Sequence, residues 1–171
     1  MKHTAKLILA TVCLVSLSLP AAAQERYFNA ELGVADVDGF DNGWVLIGGY
    51  GFQVPQVDKN FYVEGEVSAT LSNPDTVGGD ISYYSFGGYA VYALPVSNNF
   101  KLRGRAGLLY YNADVSGNTG GTSFTSGDDG FELSYGIGAT IGINDQLDVL
   151  VDYTRIHSDI NHLSAGVQYR F

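Results

Sequence analysis

Asn99-Phe-Lys-Leu-Arg-Gly-Arg-Ala-Gly-Leu-Leu-Tyr-Tyr-Asn112 alternates along its length. Phe100, Leu102, Ala106, Leu108 and Tyr110 share one parity, while Lys101, Arg103 and Arg105 fall on the other. A period of two is that of an extended strand with two unlike faces. The charged face wants water or a counter-charge, and the apolar face, tipped at both ends by rings, wants neither. The same alternation recurs in Tyr27–Val37, Gly43–Phe52, Asn60–Leu71, Ile81–Leu94, Gly130–Ile143, Gln146–Arg155 and Asn161–Phe171. With Asn99–Asn112 these make eight segments, each about the 9–11 residues that a tilted strand needs to cross a bilayer, or slightly longer. No helical period intervenes, so the expected fold is all-β: an eight-stranded antiparallel up-and-down transmembrane β-barrel.

The apolar parity continues through Phe28, Ala30, Leu32 and Val34; Trp44 to Phe52; Phe61 to Leu71; Tyr84 to Leu94; Phe131 to Ile143; Leu147 to Tyr153; and Leu163 to Phe171. Placed alternately up and down, Trp44, Tyr84, Tyr110, Phe131 and Tyr153 land at the loop end, and Phe28, Phe52, Phe61, Phe100 and Phe171 at the turn end. Two belts of rings at the edges of an apolar band are the interface girdles of a membrane barrel. A soluble ligand-binding barrel would turn its apolar set inward instead. Opposite this band lie Glu31, Glu64, Glu66, Lys101, Arg103, Arg105, Glu132, Asp148, Asp152 and Arg170 among small and polar residues. An eight-stranded barrel has room inside only for its own side chains. Glu64, Glu66, Arg103 and Arg105 are therefore expected to form a salt-bridge plug, joined by Glu31 and Asp148, with Lys101 in the same lumen network. A narrow water-filled pore is the alternative.

Connections are compact at Gln53–Lys59, Pro95–Asn98 and Asn144–Asp145, and longer at Ser72–Asp80 and the Gly/Ser/Thr/Asp-rich Ala113–Asp129, although Asp38–Asn42 and Ile156–Ile160 are short as well. Short turns on the periplasmic side and long loops outside are usual in such barrels. The first 23 residues read as a secretory signal peptide: Lys2, His3 and Lys6, then apolar Leu7–Leu19, then Pro20 and Ala21-Ala22-Ala23. Residues 24–171 form the expected barrel domain. Losing Lys2 and Lys6 leaves 7 bases (9 − 2) against 18 acids, a balance of −11, the wrong sign for a nucleic-acid binder. The single cysteine, Cys13, leaves with the leader, which excludes thiolate chemistry in the mature chain.

The closing Leu163-Ser-Ala-Gly-Val-Gln-Tyr-Arg-Phe171 resembles the terminal strand of bacterial outer-membrane barrels, and the whole mature chain resembles the OmpA/OmpX-like family. That resemblance implies that Tyr169 and Phe171 are the assembly signal read by the barrel assembly machinery, with periplasmic chaperones as earlier partners. It also implies residence in the outer membrane of a Gram-negative bacterium, among its lipid and lipopolysaccharide. Relatives of the longer type carry a peptidoglycan-binding domain, and a chain ending at Phe171 is expected to lack that role.

Candidate chemistry is sparse. His157-Ser158-Asp159, with His162 nearby, contains triad residue types. Neighbours in extended chain point to opposite faces, however, and a nucleophile needs its base within about 3 Å. Lipid A deacylases, which are also eight-stranded, place His and Ser two apart with a Glu following, whereas here the spacing is one and no Glu follows Glu132. No enzyme is expected. The loop acids Asp38, Asp41, Asp75, Asp80, Asp114, Asp128, Asp129 and Asp159 lack calcium-loop spacing and read as a solvated anionic surface. No metal and no cofactor are expected. The favoured function is structural or adhesin-like, through the extracellular loops and an external ligand or surface. A small passive channel comes second and a lipid-modifying enzyme third. Deleting Phe171 is expected to lower outer-membrane assembly; normal levels of heat-modifiable protein without it would refute the terminal-signal reading.

Overall fold

A computed structural model describes residues 24–37, 42–72, 75–76, 79–119 and 122–171. The leader and Asp38 and Asp41 lie outside the described residues. The strands are β1 (Arg26–Val37), β2 (Gly43–Gln53), β3 (Phe61–Ser72), the two-residue β4 (Asp75–Thr76), β5 (Gly79–Pro95), β6 (Phe100–Thr119), β7 (Thr122–Gly142), β8 (Leu147–His157) and β9 (Ile160–Arg170). All pairings are antiparallel between neighbours. The β3–β5 pairing closes the sheet on itself, so the eight long strands are the staves and β4 sits above them on β5. Closure leaves no stave edge in the band where lipid could not satisfy it.

The register fixes the size of the barrel. Moving from partner to partner, Gly43 leads to Ala35, His162, Thr154, Gly136, Arg105, Val91, Tyr62 and finally Gln53. The line returns to β2 ten residues lower (53 − 43). A stagger of ten over eight staves tilts the strands by about 40° and sets a backbone radius of about 8 Å. Burial follows the alternation. Ile137 is 71% exposed and Leu133 64%, whereas Leu150 and Glu64 are fully buried. The exposed apolar band faces outward and the polar set faces the lumen.

Correcting each stave for the stagger puts Trp44, Tyr84, Tyr110 and Phe131 within about one residue of a common level. Phe28, Phe52, Phe61, Phe100 and Phe171 occupy the other end, where Phe28 stacks on Phe171 with ring centroids 5.4 Å apart. Tyr153 departs from the expected outer belt. Its partners are Ile137 and Leu163, which place it level with Gly48, about 10 Å deeper than Trp44. Parity alone gave its face, but depth required the stagger. On the same side Arg155 shares the outward face of β8 and Asn161 that of β9, both below the level of Trp44. The outward face is therefore not free of charge, and the apolar band is shorter along β8 and β9 than along β3 and β5.

The largest revision concerns Ala113–Asp129. The ladder between β6 and β7 continues without interruption to Thr119↔Thr122, and β5 follows β6 as far as Gly79↔Gly117. What reads as loop by composition is a raised sheet standing well above Trp44, while the β8–β9 hairpin stops at His157↔Ile160.

Glycines divide by face. A Cβ on Gly107, which faces inward, would collide with the backbone of Gly88 and Tyr89, whereas one on outward-facing Gly104 would meet nothing within 4 Å. Gly107→Ala should therefore lower the urea midpoint by an amount equivalent to about 1–3 kcal/mol. Gly104→Ala should leave it within about 0.5 kcal/mol of wild type, as read by tryptophan fluorescence during unfolding.

Candidate functional site

Alternation on β3, β6 and β8 aims Glu64, Glu66, Arg103, Arg105 and Asp152 into the lumen, and the stagger brings them to one level near mid-depth. Arg103 Nη2 donates to Glu64 Oε2 at 3.0 Å. Arg105 Nη2 donates to Glu66 Oε2 and stands 3.3 Å from Glu64 Oε1. Asp152 completes the group on the opposite wall, with Oδ1 3.6 Å from Arg103 Nε and Oδ2 3.8 Å from Arg105 Nη1. Three carboxylates thus surround two guanidiniums, all buried.

Tyrosines finish the arrangement. Tyr27 OH donates to Glu64 Oε2 at 2.6 Å, and the Arg105 guanidinium lies 3.7 Å over the Tyr89 ring in a cation–π contact. Tyr89 OH in turn shares a 2.9 Å hydrogen bond with Ser134 Oγ. Buried charges persist only when paired and hydrogen-bonded, and here the partners come from opposite walls. The group ties β1, β3, β5, β6, β7 and β8 together across the barrel.

The other expected network residues lie apart from it. Glu31 accepts from Asn29 Nδ2 at 2.9 Å and Ser164 Oγ at 2.6 Å and makes no ion pair among the described residues. Asp148 sits nearer the turn end, 2.8 Å from Arg170 Nη2 and accepting from Gln168 Nε2 at 3.1 Å. Lys101 lines a cavity of about 20 Å³ at that mouth, with Glu25, Tyr62, Thr140 and Gln168, room for about one water molecule. It too makes no ion pair among the described residues. Conversely, Asp152, Tyr27 and Tyr89 belong to the central group without having been assigned to it; their inward parity was the available signal.

Above the charges the lumen turns apolar, with Val45, Ile47, Leu109, Tyr111, Ile156 and Ile160 buried together. His162 is buried there, its Nε2 2.6 Å from Tyr83 OH. At the rim, Ser158 and His157 do not diverge as extended neighbours would. The chain turns after β8, bringing Ser158 Oγ to 3.1 Å from His157 Nδ1. The Asp159 N–H donates to that same Nδ1 at 3.4 Å, and His157 Nε2 lies 3.5 Å from Glu132. One lone pair shared between a hydroxyl and a backbone N–H serves to fix a tight turn.

These features define a transmembrane β-barrel with a filled lumen and one raised face. The chain belongs to the outer membrane protein beta-barrel domain family, whose profile matches residues 9–171. Solved structures share the fold at low identity. Ail, the attachment invasion locus protein of Yersinia pestis, is 18% identical with a TM-score of 0.59, covering 86% of this chain and 97% of its own. Neisserial surface protein A is 16% identical, with a TM-score of 0.59 and the same coverages of 86% and 97%. The N-terminal barrel domain of Pseudomonas aeruginosa OprF is 10% identical, with a TM-score of 0.58 and coverages of 86% and 97%. Ail has also been solved in complex with the heparin analogue sucrose octasulfate, at 17% identity, a TM-score of 0.57 and coverages of 86% and 97%. No curated protein matches the sequence.

Glu64→Ala should cost about 3–5 kcal/mol of unfolding free energy, because it removes the buried carboxylate that both guanidiniums share. Asp148→Asn, at the more open mouth, should cost about 1 kcal/mol. Urea titrations of the refolded barrel in detergent micelles would compare the two.

Proposed function

We propose that this chain is a closed, non-enzymatic outer-membrane barrel that works from its extracellular face, in a structural or adhesin-like role. The observation that carries this reading is the ion-pair group across the lumen. With a backbone radius of about 8 Å, arginines reaching in from β6 and carboxylates from β3 and β8 leave no continuous path for solutes. A barrel sealed at mid-depth acts through its lipid face and its two ends, and the raised sheet of β5, β6 and β7 enlarges the outer one. The relative Ail is by name an attachment protein, which favours the same use here.

In this reading residues 1–23 are the export leader and Tyr169 with Phe171 present the terminal strand to the assembly machinery, after passage with periplasmic chaperones. The girdle rings, Tyr153 excepted, then settle the barrel among outer-membrane lipid and lipopolysaccharide of a Gram-negative cell. The Ser158–His157–Glu132 contacts are assigned to holding the β8–β9 turn against β7.

Planar-bilayer recordings separate a sealed barrel from a passive channel. Wild type should be silent, and Glu64→Gln/Glu66→Gln, which frees the guanidiniums, should open intermittently. Steady wild-type conductance would overturn the closed-lumen reading and move function to the lumen.

A further inference from the structure

Between the levels of Trp44 and Phe28 the outward face is apolar, except on one side. Among the described residues, Arg155 and Asn161 are the only charged or amide side chains in that band, and they are ladder partners. Tyr135 pairs with Arg155 on its other flank. Two places along β8, Tyr153 presents a phenol about 10 Å below Trp44, a depth at which hydrocarbon offers no acceptor. Neither Tyr153 OH nor the Asn161 amide has a hydrogen-bond partner among the described residues. The wall above is low, since the β8–β9 hairpin ends at His157↔Ile160, and a bulky headgroup finds room there.

The Arg155 guanidinium is held in place by the protein. Its Nε and Nη2 donate to the carbonyls of His157 and Ser158 at 3.4 and 3.1 Å, and its Nη1 to Tyr135 OH at 3.4 Å. Each Nη carries a second N–H, and that pair, unclaimed among the described residues, matches two oxygens of one phosphate. Depth adds a further requirement. Arg155 lies about 5 Å below Trp44, and Tyr153 about 5 Å below Arg155 along the membrane normal. A molecule that suits both offers an anion first and a neutral acceptor one step deeper, as a phosphate followed by the carbonyl of an acyl chain does. Acids bound the patch: Asp36 is the ladder partner of Asn161 on its far side, and Glu132 and Asp159 flank His157 above. The anion is thereby confined to Arg155, the one Lys or Arg in the outer part of the described residues.

We infer that the lipid-facing side of β7, β8 and β9 holds one phosphorylated, acylated sugar lipid of the outer leaflet. Its phosphate sits on Arg155, its sugar hydroxyls at Asn161 and an acyl carbonyl on Tyr153 OH. The inference deepens the placement of the barrel among outer-membrane lipid proposed above and rests on it. A glycerophospholipid shares the phosphate and the carbonyl, but it brings no sugar to the amide of Asn161. The same contacts account for a tyrosine that lies too deep for the outer ring of aromatics and for the one cation on this face.

The test measures retention of single lipids on the refolded barrel in octyl glucoside by native mass spectrometry. The probes are synthetic bisphosphorylated lipid A, the same lipid without its phosphates, and dimyristoyl phosphatidylglycerol. One bisphosphorylated lipid A should be retained, at least about tenfold more strongly than the dephosphorylated form. Arg155→Gln should remove that preference. Tyr153→Phe, which leaves the turn contacts of Arg155 untouched, should weaken both forms of lipid A about threefold. Arg26→Gln deletes a cation from the other end of the barrel and should change nothing, with every variant still heat-modifiable. An equal loss in Arg26→Gln would reduce the effect to bulk attraction and overturn the site, as would unchanged retention by Arg155→Gln. No effect of Tyr153→Phe would overturn the carbonyl contact at depth. Phosphatidylglycerol held as strongly as lipid A would overturn the sugar lipid as occupant, and dimers that exclude lipid would assign the patch to a second copy. Recovery of the native protein in the inner-membrane fraction of the cells that make it would remove the outer-membrane reading itself, whatever the purified barrel retains.

Discussion

Closure of the hydrogen-bonded ladder is the constraint on which everything else in this molecule depends. Inside hydrocarbon a backbone N–H has no water to turn to, so a sheet can cross only if its first and last staves find each other. Here β1 pairs with β9 as well as β2, and β3 meets β5, so that no stave edge is left in the band. The stagger at which the ladder closes then fixes the radius, and the radius decides what the lumen can hold. At about 8 Å the walls are near enough for arginines on β6 to meet glutamates on β3 and Asp152 on the wall opposite β3.

The lumen is consequently a place where charge is tolerated only in company. Glu64 is reached by Arg103, Arg105 and Tyr27, and it is the carboxylate they hold in common. A buried ion pair gives little net stability compared with an apolar filling. What it does give is a penalty for every wrong register: slipping one stave by one residue would turn its carboxylates or guanidiniums into lipid. The charges that meet across the lumen also specify how the barrel closes.

Much of this was legible in the residues. Alternation in Asn99–Asn112 and seven similar segments gave the staves, their faces and the pairing of Glu64 and Glu66 with Arg103 and Arg105. Three things were not legible, each for a physical reason. The depth of Tyr153 depends on accumulated stagger, a property of the closed sheet and not of one strand. The continuation of β6 and β7 through a Gly/Ser/Thr/Asp-rich run reflects cross-strand pairing, which overrides the composition of either partner. The meeting of His157 with Ser158 needs the turn after β8, where the period of two no longer applies.

The short apolar band along β8 and β9 has a bearing on the surrounding bilayer. Arg155 and Asn161 bring polar groups below the level at which β3 and β5 still present Leu71 and Tyr84 to lipid. A belt of unequal height cannot match a flat hydrocarbon slab on all sides at once. The barrel must lean, or the leaflet at that end must thin where it meets β8 and β9, at a cost of fractions of a kcal/mol per ångström of mismatch. Shorter or more disordered acyl chains relieve that cost at one point of the circumference and not at others. The protein thus carries an orientation within the plane of the membrane, set by its belt, and the raised sheet on β5, β6 and β7 inherits a preferred inclination from it.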